Sequence, residues 1–147
     1  MTLDAPLVLK KLARIETCVT ELRALVRPDE IETDLRSQRF AEHTLQIAIQ
    51  AALDAASHVV AEQRMGEPRT NRELFTLLAR GGAIDDALAA ACAQMAGFRN
   101  VLVHEYEAVD LAVVREVVEH RLPDLLAFAA TLRAYLTSPP RVVRRPS

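Results

Sequence analysis

Residues 98–106 contain the side chains best suited to catalysis in this sequence. Four polar residues of different chemical type fall there, in a chain otherwise rich in Ala, Leu and Val: Arg99, Asn100, His104 and Tyr106. Arginine is a fixed cation whose planar fork binds phosphate oxygens. Histidine both accepts and donates a proton near neutral pH. A phosphate-binding group beside a proton-transfer group is what the cleavage of RNA without a metal requires.

The spacing of this motif restricts where it can work. An isolated Arg-x4-His is more simply explained as a polar helix end, because short motifs often match without function. On a regular helix, successive residues turn by about 100°, so Arg99 and His104 point roughly 140° apart. For both to reach one phosphate, the helix must loosen between Val101 and His104, or the arginine must wrap around it. We therefore expect the motif where a helix ends.

Apolar residues that recur every three or four positions predict helices throughout the chain. The predicted segments run from Asp4 to Pro28, from about Ile31 to Arg64, from Thr70 to Gly81, from about Ile84 to Val101 or beyond, and from Asp110 onward with a bend or restart at Pro123. There is no strand pattern and no repeat. The fold class expected is an all-α, up-and-down bundle of four to five helices.

Composition and charge restrict the class of protein. The chain has 147 residues, enough for one domain with a real core, and we assign residues 1–137 to it. Residues 138–147 form a proline- and arginine-rich tail that we expect to be disordered. A net charge of −2 excludes a generally basic surface, so any RNA contact must be a local patch.

The cysteines and the hydropathy pattern point to a soluble, cytoplasmic protein. Cys18 and Cys92 have no CxxC partner and no histidine at zinc-ligand spacing, which favours reduced, buried thiols. Charged residues interrupt the apolar N-terminus, and no apolar run approaches the roughly 18 residues that a membrane span needs. The sequence contains no cluster of Asp, Glu and His with metal-ligand spacing, so no metal or other cofactor is expected.

Two features predict a homodimer. A second helix from Ile31 to Arg64 would be roughly 50 Å long, more than a lone compact domain needs. Small residues on the fourth helix, among them Ala93 and Gly97, allow another backbone to approach closely.

At residues 99–106 the chain resembles the HepT-like branch of the HEPN-domain proteins, which are toxins of bacterial and archaeal toxin–antitoxin pairs. That branch carries the pattern Arg-x4-His-x-Tyr, which here falls on Arg99, His104 and Tyr106. Asn100 occupies the polar position that usually follows the arginine.

The resemblance extends over about two thirds of the chain. Residues 39–54 (RFAEHTLQIAIQAALD) are similar to the family's long helix. Residues 66–70 (GEPRT) are similar to its connecting turn, and residues 95–100 (MAGFRN) lead into the active-site segment. Agreement in separate places favours a true relationship over coincidence.

The resemblance implies a metal-independent ribonuclease toxin in which the RNA 2′-hydroxyl attacks the adjacent phosphorus. Arg99 would then stabilise the phosphorane, His104 would transfer the proton, and Asn100 would orient the phosphate or the imidazole. One histidine per chain is too few for an acid and a base, and a two-fold dimer supplies the second. It also implies a protein partner, an MntA-like nucleotidyltransferase antitoxin that transfers AMP to Tyr106. The ordinary alternative is that the Tyr106 ring packs against the bundle.

Several assignments stay open at this point. Asp54 is either a solvated carboxylate or a partner of Arg99 or another arginine in the groove, and Arg39 and Arg72 are possible RNA-phosphate contacts. His43 and His58 have the ordinary interpretation of packed or solvated histidines. The alternative function is a non-catalytic helical protein that holds nucleotide or RNA for a nucleotidyltransferase.

Overall fold

The chain folds into a bundle of α-helices, as predicted. A computed structural model describes residues 5–138, except for the side chain of Tyr106. Within this range it contains six α-helices: α1 Ala5–Leu25, α2 Leu35–Glu62, α3 Asn71–Arg80, α4 Asp86–His104, α5 Leu111–His120 and α6 Leu122–Thr137. Short 3₁₀ helices at Pro28–Glu30 and Tyr106–Ala108 lie in two of the connections. No strand occurs in the described part, so the all-α fold class is confirmed.

Helix α2 is the central element of the bundle. It packs against α1, α3, α4, α5 and α6. Most of its side chains between 51 and 60 are buried, and many of them are alanines that allow neighbouring helices to approach closely. Its 28 residues span about 42 Å. The helices of its own chain cover the C-terminal half of α2, so the expected contact with a second chain applies only to another part of this helix.

Side-chain caps fix where the helices begin. Asp34 accepts hydrogen bonds from the N–H and hydroxyl of Ser37, which places the start of α2 four residues later than the apolar pattern indicates. Thr70 accepts from the N–H of Glu73 at 3.3 Å, as its capping-box spacing predicts. Asp85 and Asp110 accept from backbone N–H groups of α4 and α5 in the same way.

The C-terminal third also follows its prediction. Pro123 lies in the first turn of α6, where a missing N–H costs nothing, and the chain restarts there after α5. Ser138 is the C-cap of α6, and the predicted tail beyond it lies outside the described residues. No helix of the described chain is long and apolar enough to cross a membrane.

One aromatic pair packs within the core, and one partly exposed ion pair lies at its edge. The rings of Phe75 and Phe128 meet edge to face, with centroids 5.6 Å apart. Both amino groups of the Arg133 guanidinium donate to Glu16, at 2.6 and 2.8 Å, and join α6 to α1. These hydrogen bonds hold the pKa of the Glu16 carboxyl below its ordinary value.

Packing on α1 gives a stability prediction. Leu12 is fully buried in the core, whereas Leu25 on the same helix is 67% exposed. Leu12→Ala should lower the free energy of unfolding by about 2–5 kcal/mol, because it leaves a cavity between helices. Leu25→Ala should change it by less than about 0.5 kcal/mol. Urea titration of both variants checks this, and equal losses would contradict the packing described here.

Candidate active site

A cavity of about 250 Å³ lies where α1, α2 and α4 meet. Its walls combine charged, amide and apolar side chains from those three helices: Lys11, Arg14, His43, Gln46, Ile47, Gln50, Ala51, Asp54 and Arg99. The α2 residues recur at three- and four-residue intervals and so form one stripe on the helix. Lys11 and Arg14, three residues apart, share a face of α1 in the same way.

Positive charge dominates this cavity. Lys11, Arg14 and Arg99 are cations, and Asp54 is the one carboxylate among the lining residues. Lys11 Nζ lies 3.3 Å from Asp54 Oδ2, and Gln50 Nε2 donates to Asp54 Oδ1 at 2.8 Å. Of the alternatives left open for Asp54, the structure places it in the groove, but Lys11 from α1 and not Arg99 reaches the carboxylate. Within the described residues, Arg14 and Arg99 have no ion-pair partner.

Arg99 is the α4 residue that lines the cavity. Its Nε atom is buried and has no hydrogen-bond partner. No carboxylate in the described part of the chain lies within ion-pair distance of its guanidinium. Buried polar groups are almost always hydrogen-bonded, and an unpaired one costs free energy. The side chain is thus placed to bind an anionic ligand that enters the cavity.

His104 lies apart from this cavity. It is the last residue of α4, it is exposed, and it does not line the cavity wall. The motif does sit at a helix end, as expected. However, α4 remains α-helical through His104 and ends only at its C-cap, Glu105, so the helix does not loosen between Val101 and His104. On this regular helix the Arg99 and His104 side chains leave the backbone about 140° apart, and His104 does not line the cavity that Arg99 lines.

Comparison with known proteins identifies the family. The sequence profile of the ribonuclease HepT-like family matches residues 15–132. The chain belongs to the HepT-like ribonuclease family. The resemblance to the HepT-like branch is therefore confirmed.

Individual HepT-like relatives match over about three quarters of the chain or more. The mRNA nuclease HepT of Shewanella oneidensis is 30% identical over 129 residues, which cover 87% of this chain and 97% of the relative. The tRNA nuclease HepT of Aphanizomenon flos-aquae is 30% identical over 108 residues, 74% of each chain. A tri-AMPylated HEPN toxin of Shewanella oneidensis, solved in complex with MNT antitoxin, superposes with a TM-score of 0.81 at 30% identity. That superposition covers 91% of this chain and 99% of the toxin.

The other predicted site residues of this HepT-like chain take different positions. Asn100 is exposed on α4 beside Arg99. Arg39 is 66% exposed, pairs with Glu42 at 3.8 Å and does not line the cavity. The Arg72 guanidinium lies over Gly97 of α4. A Cβ added to this glycine would be 3.8 Å from the Cζ atom of Arg72. Tyr106 opens the 3₁₀ helix that follows α4.

Sequence reasoning missed the role of His43 in the cavity wall. The residue lies eleven positions before Asp54, about three turns of α2, and the two share one stripe of that helix. That spacing was the available signal. Connecting His43 with Arg99 also requires the position of α4, which no local sequence pattern supplies.

The two cysteines take no part in this chemistry. Cys18 and Cys92 are free and buried, as expected. Burial raises the pKa of the Cys92 thiol to about 12. Because the thiolate is the nucleophilic form, Cys92 is not a candidate nucleophile at neutral pH.

Proposed function

We propose that this protein is an endoribonuclease toxin of a toxin–antitoxin pair, and that Arg99 and His104 carry out its chemistry without a metal. The observation that carries this proposal is Arg99, whose unpartnered guanidinium faces a positively charged cavity in a chain of the HepT-like ribonuclease family. The nuclease names of its relatives support the same reaction class.

The chemistry follows from the two side chains. A 2′-hydroxyl attacks the adjacent phosphorus, the bond from phosphorus to the 5′-oxygen breaks, and a 2′,3′-cyclic phosphate and a 5′-hydroxyl result. Arg99 binds the non-bridging oxygens, whose charge grows in the transition state. A histidine removes the proton from the 2′-hydroxyl, and another donates a proton to the leaving oxygen. Asn100, exposed beside Arg99, orients the phosphate or an imidazole.

The divergence of the two side chains favours a site that is shared with a second copy of the protein. In one chain Arg99 faces α1 and α2, whereas His104 is exposed at the end of α4. A two-fold homodimer places the exposed His104 of each chain at the Arg99 cavity of its partner. The groove then holds two histidines, which supply the base and the acid.

The proposed protein partner is an MntA-like nucleotidyltransferase antitoxin. The related HEPN toxin is tri-AMPylated and in complex with MNT antitoxin. In this chain the matching acceptor is Tyr106, two residues after His104 and at the start of a 3₁₀ helix. Each added AMP brings a negative phosphate that repels RNA and pairs with Arg99. The nucleoside adds bulk at the mouth of the site.

The purified protein should cleave RNA in EDTA and leave 2′,3′-cyclic phosphate ends. Arg99→Ala should lower the rate about 10²–10³-fold, because a donor to the developing charge is lost. His104→Ala should lower it about 10²–10⁴-fold. Gel analysis of a labelled single-stranded RNA, with end-group mapping, measures both effects.

Matched controls separate chemistry from folding. His120→Ala and Arg23→Ala remove the same side-chain types from exposed helix ends far along the chain from the motif, and both should cleave like the wild type. RNA that binds tightly but stays intact with every variant would instead support the alternative, a non-catalytic nucleotide- or RNA-binding partner of a nucleotidyltransferase.

Modification of Tyr106 gives a separate prediction. Mass spectrometry of the chain co-expressed with its nucleotidyltransferase should find AMP on Tyr106. Tyr106→Phe should stay toxic in the presence of that partner, because the acceptor hydroxyl is gone. Tyr135, the second of the two tyrosines, lies on α6 and provides the control: Tyr135→Phe should still be neutralised. An unmodified Tyr106 in a tight complex would show that the antitoxin masks the site instead.

A further inference from the structure

The proposed chemistry leaves one wall of the Arg99 cavity without a function. Lys11 and Arg14 of α1 and His43 of α2 line the same space as Arg99. Their side chains all carry N–H donors, two of them on fixed cations. They come from residues 11–43, far along the chain from the Arg-x4-His motif, so the fold alone brings them to it.

The charge on this wall is local. The chain as a whole has a net charge of −2. The cavity nevertheless contains three fixed cations against one carboxylate, and that carboxylate is already paired with Lys11. Arg14 has no carboxylate within ion-pair distance in the described part of the chain. One phosphate on Arg99 would leave the charge of Arg14 uncompensated, whereas two neighbouring phosphates would offset both.

The space and the polar groups fit a segment of single-stranded RNA. Drug-sized ligands occupy pockets of roughly 300–1,000 Å³. The cavity here, of about 250 Å³, is slightly smaller and so accepts about one nucleotide of an RNA chain. Gln46 adds an amide with both donor and acceptor capacity to the same wall. Single-stranded RNA suits such a groove because its backbone follows a line of cations.

We propose that Lys11, Arg14 and His43 form a second phosphate-binding subsite, which holds the RNA phosphate next to the one on Arg99. The proposal rests on the proposed ribonuclease function, and it adds a second contact to the RNA substrate beside the one that Arg99 makes. Lys11 and Arg14 bind the phosphate by charge, and His43 contributes an exposed N–H donor. The subsite fixes the register of the strand, so its loss should raise KM more than it lowers kcat.

Binding to RNA tests the subsite without relying on catalysis. In a His104→Ala background, fluorescence anisotropy measures the affinity for a labelled single-stranded oligoribonucleotide at salt concentrations from about 50 to 300 mM. Over this range, binding through phosphate contacts weakens measurably. Each phosphate contact contributes about 0.7 to the slope of log affinity against log salt. Lys11→Gln with Arg14→Gln should lower that slope by about 1.4 and weaken binding roughly tenfold or more at low salt.

Two further variants control for total charge and for folding. Lys10→Gln with Arg23→Gln removes the same charge from exposed positions on the same helix, and it should leave the slope within about 0.3 of the parent. Lys11→Arg with Arg14→Lys keeps both charges and should bind RNA like the parent. Equal losses in the cavity pair and the exposed pair would overturn the subsite, because charge alone would then explain the binding.

The outcomes separate this proposal from the function it rests on. If the Lys11 and Arg14 substitutions leave binding and KM unchanged while Arg99→Ala still abolishes cleavage, the subsite is wrong and the nuclease stands. If the slope falls as predicted but the wild type never cuts RNA, the subsite stands and the nuclease is wrong.

Discussion

The continuity of α4 as far as His104 is the constraint on which the rest of this site depends. Five residues of regular helix direct Arg99 and His104 about 140° apart, so the two groups that define the motif leave α4 on different sides. The arginine faces inward to α1 and α2, and the histidine faces outward. The same helix that separates them makes a catalytic site shared between two chains the simplest arrangement that uses both.

Electrostatics connects this arrangement to substrate binding and to control. The cavity that receives Arg99 contains three cations and one carboxylate, while the protein as a whole is slightly acidic. An anionic strand is therefore attracted to the site rather than to the surface in general. Tyr106 directly follows the helix that carries Arg99 and His104, so a phosphate added there, as we propose, would act on that same field. In the proposed function, activity and its suppression both depend on this local excess of positive charge.

Local signals predicted well what local interactions determine. The helix starts predicted at Thr70 and Asp110 are observed as side-chain caps, because a cap involves one side chain and a backbone N–H two or three residues away. The sequence left the partner of Asp54 open and did not indicate Lys11, because that residue comes from another helix and only packing brings it within 3.3 Å. His43 was missed for the same reason. The fold class and the motif could be predicted from the sequence, but the wall opposite Arg99 could not.

A mixing experiment tests the shared site most directly. Arg99→Ala chains and His104→Ala chains, each inactive alone, are unfolded together, refolded and assayed on single-stranded RNA in EDTA. If the groove is shared, every mixed dimer regains one Arg99 and one His104 from opposite chains, and activity should rise above that of either variant alone but stay below the wild-type value, because the second histidine is missing. Mixed dimers that form but recover no activity would contradict the account, because they would show that both residues must belong to the same chain.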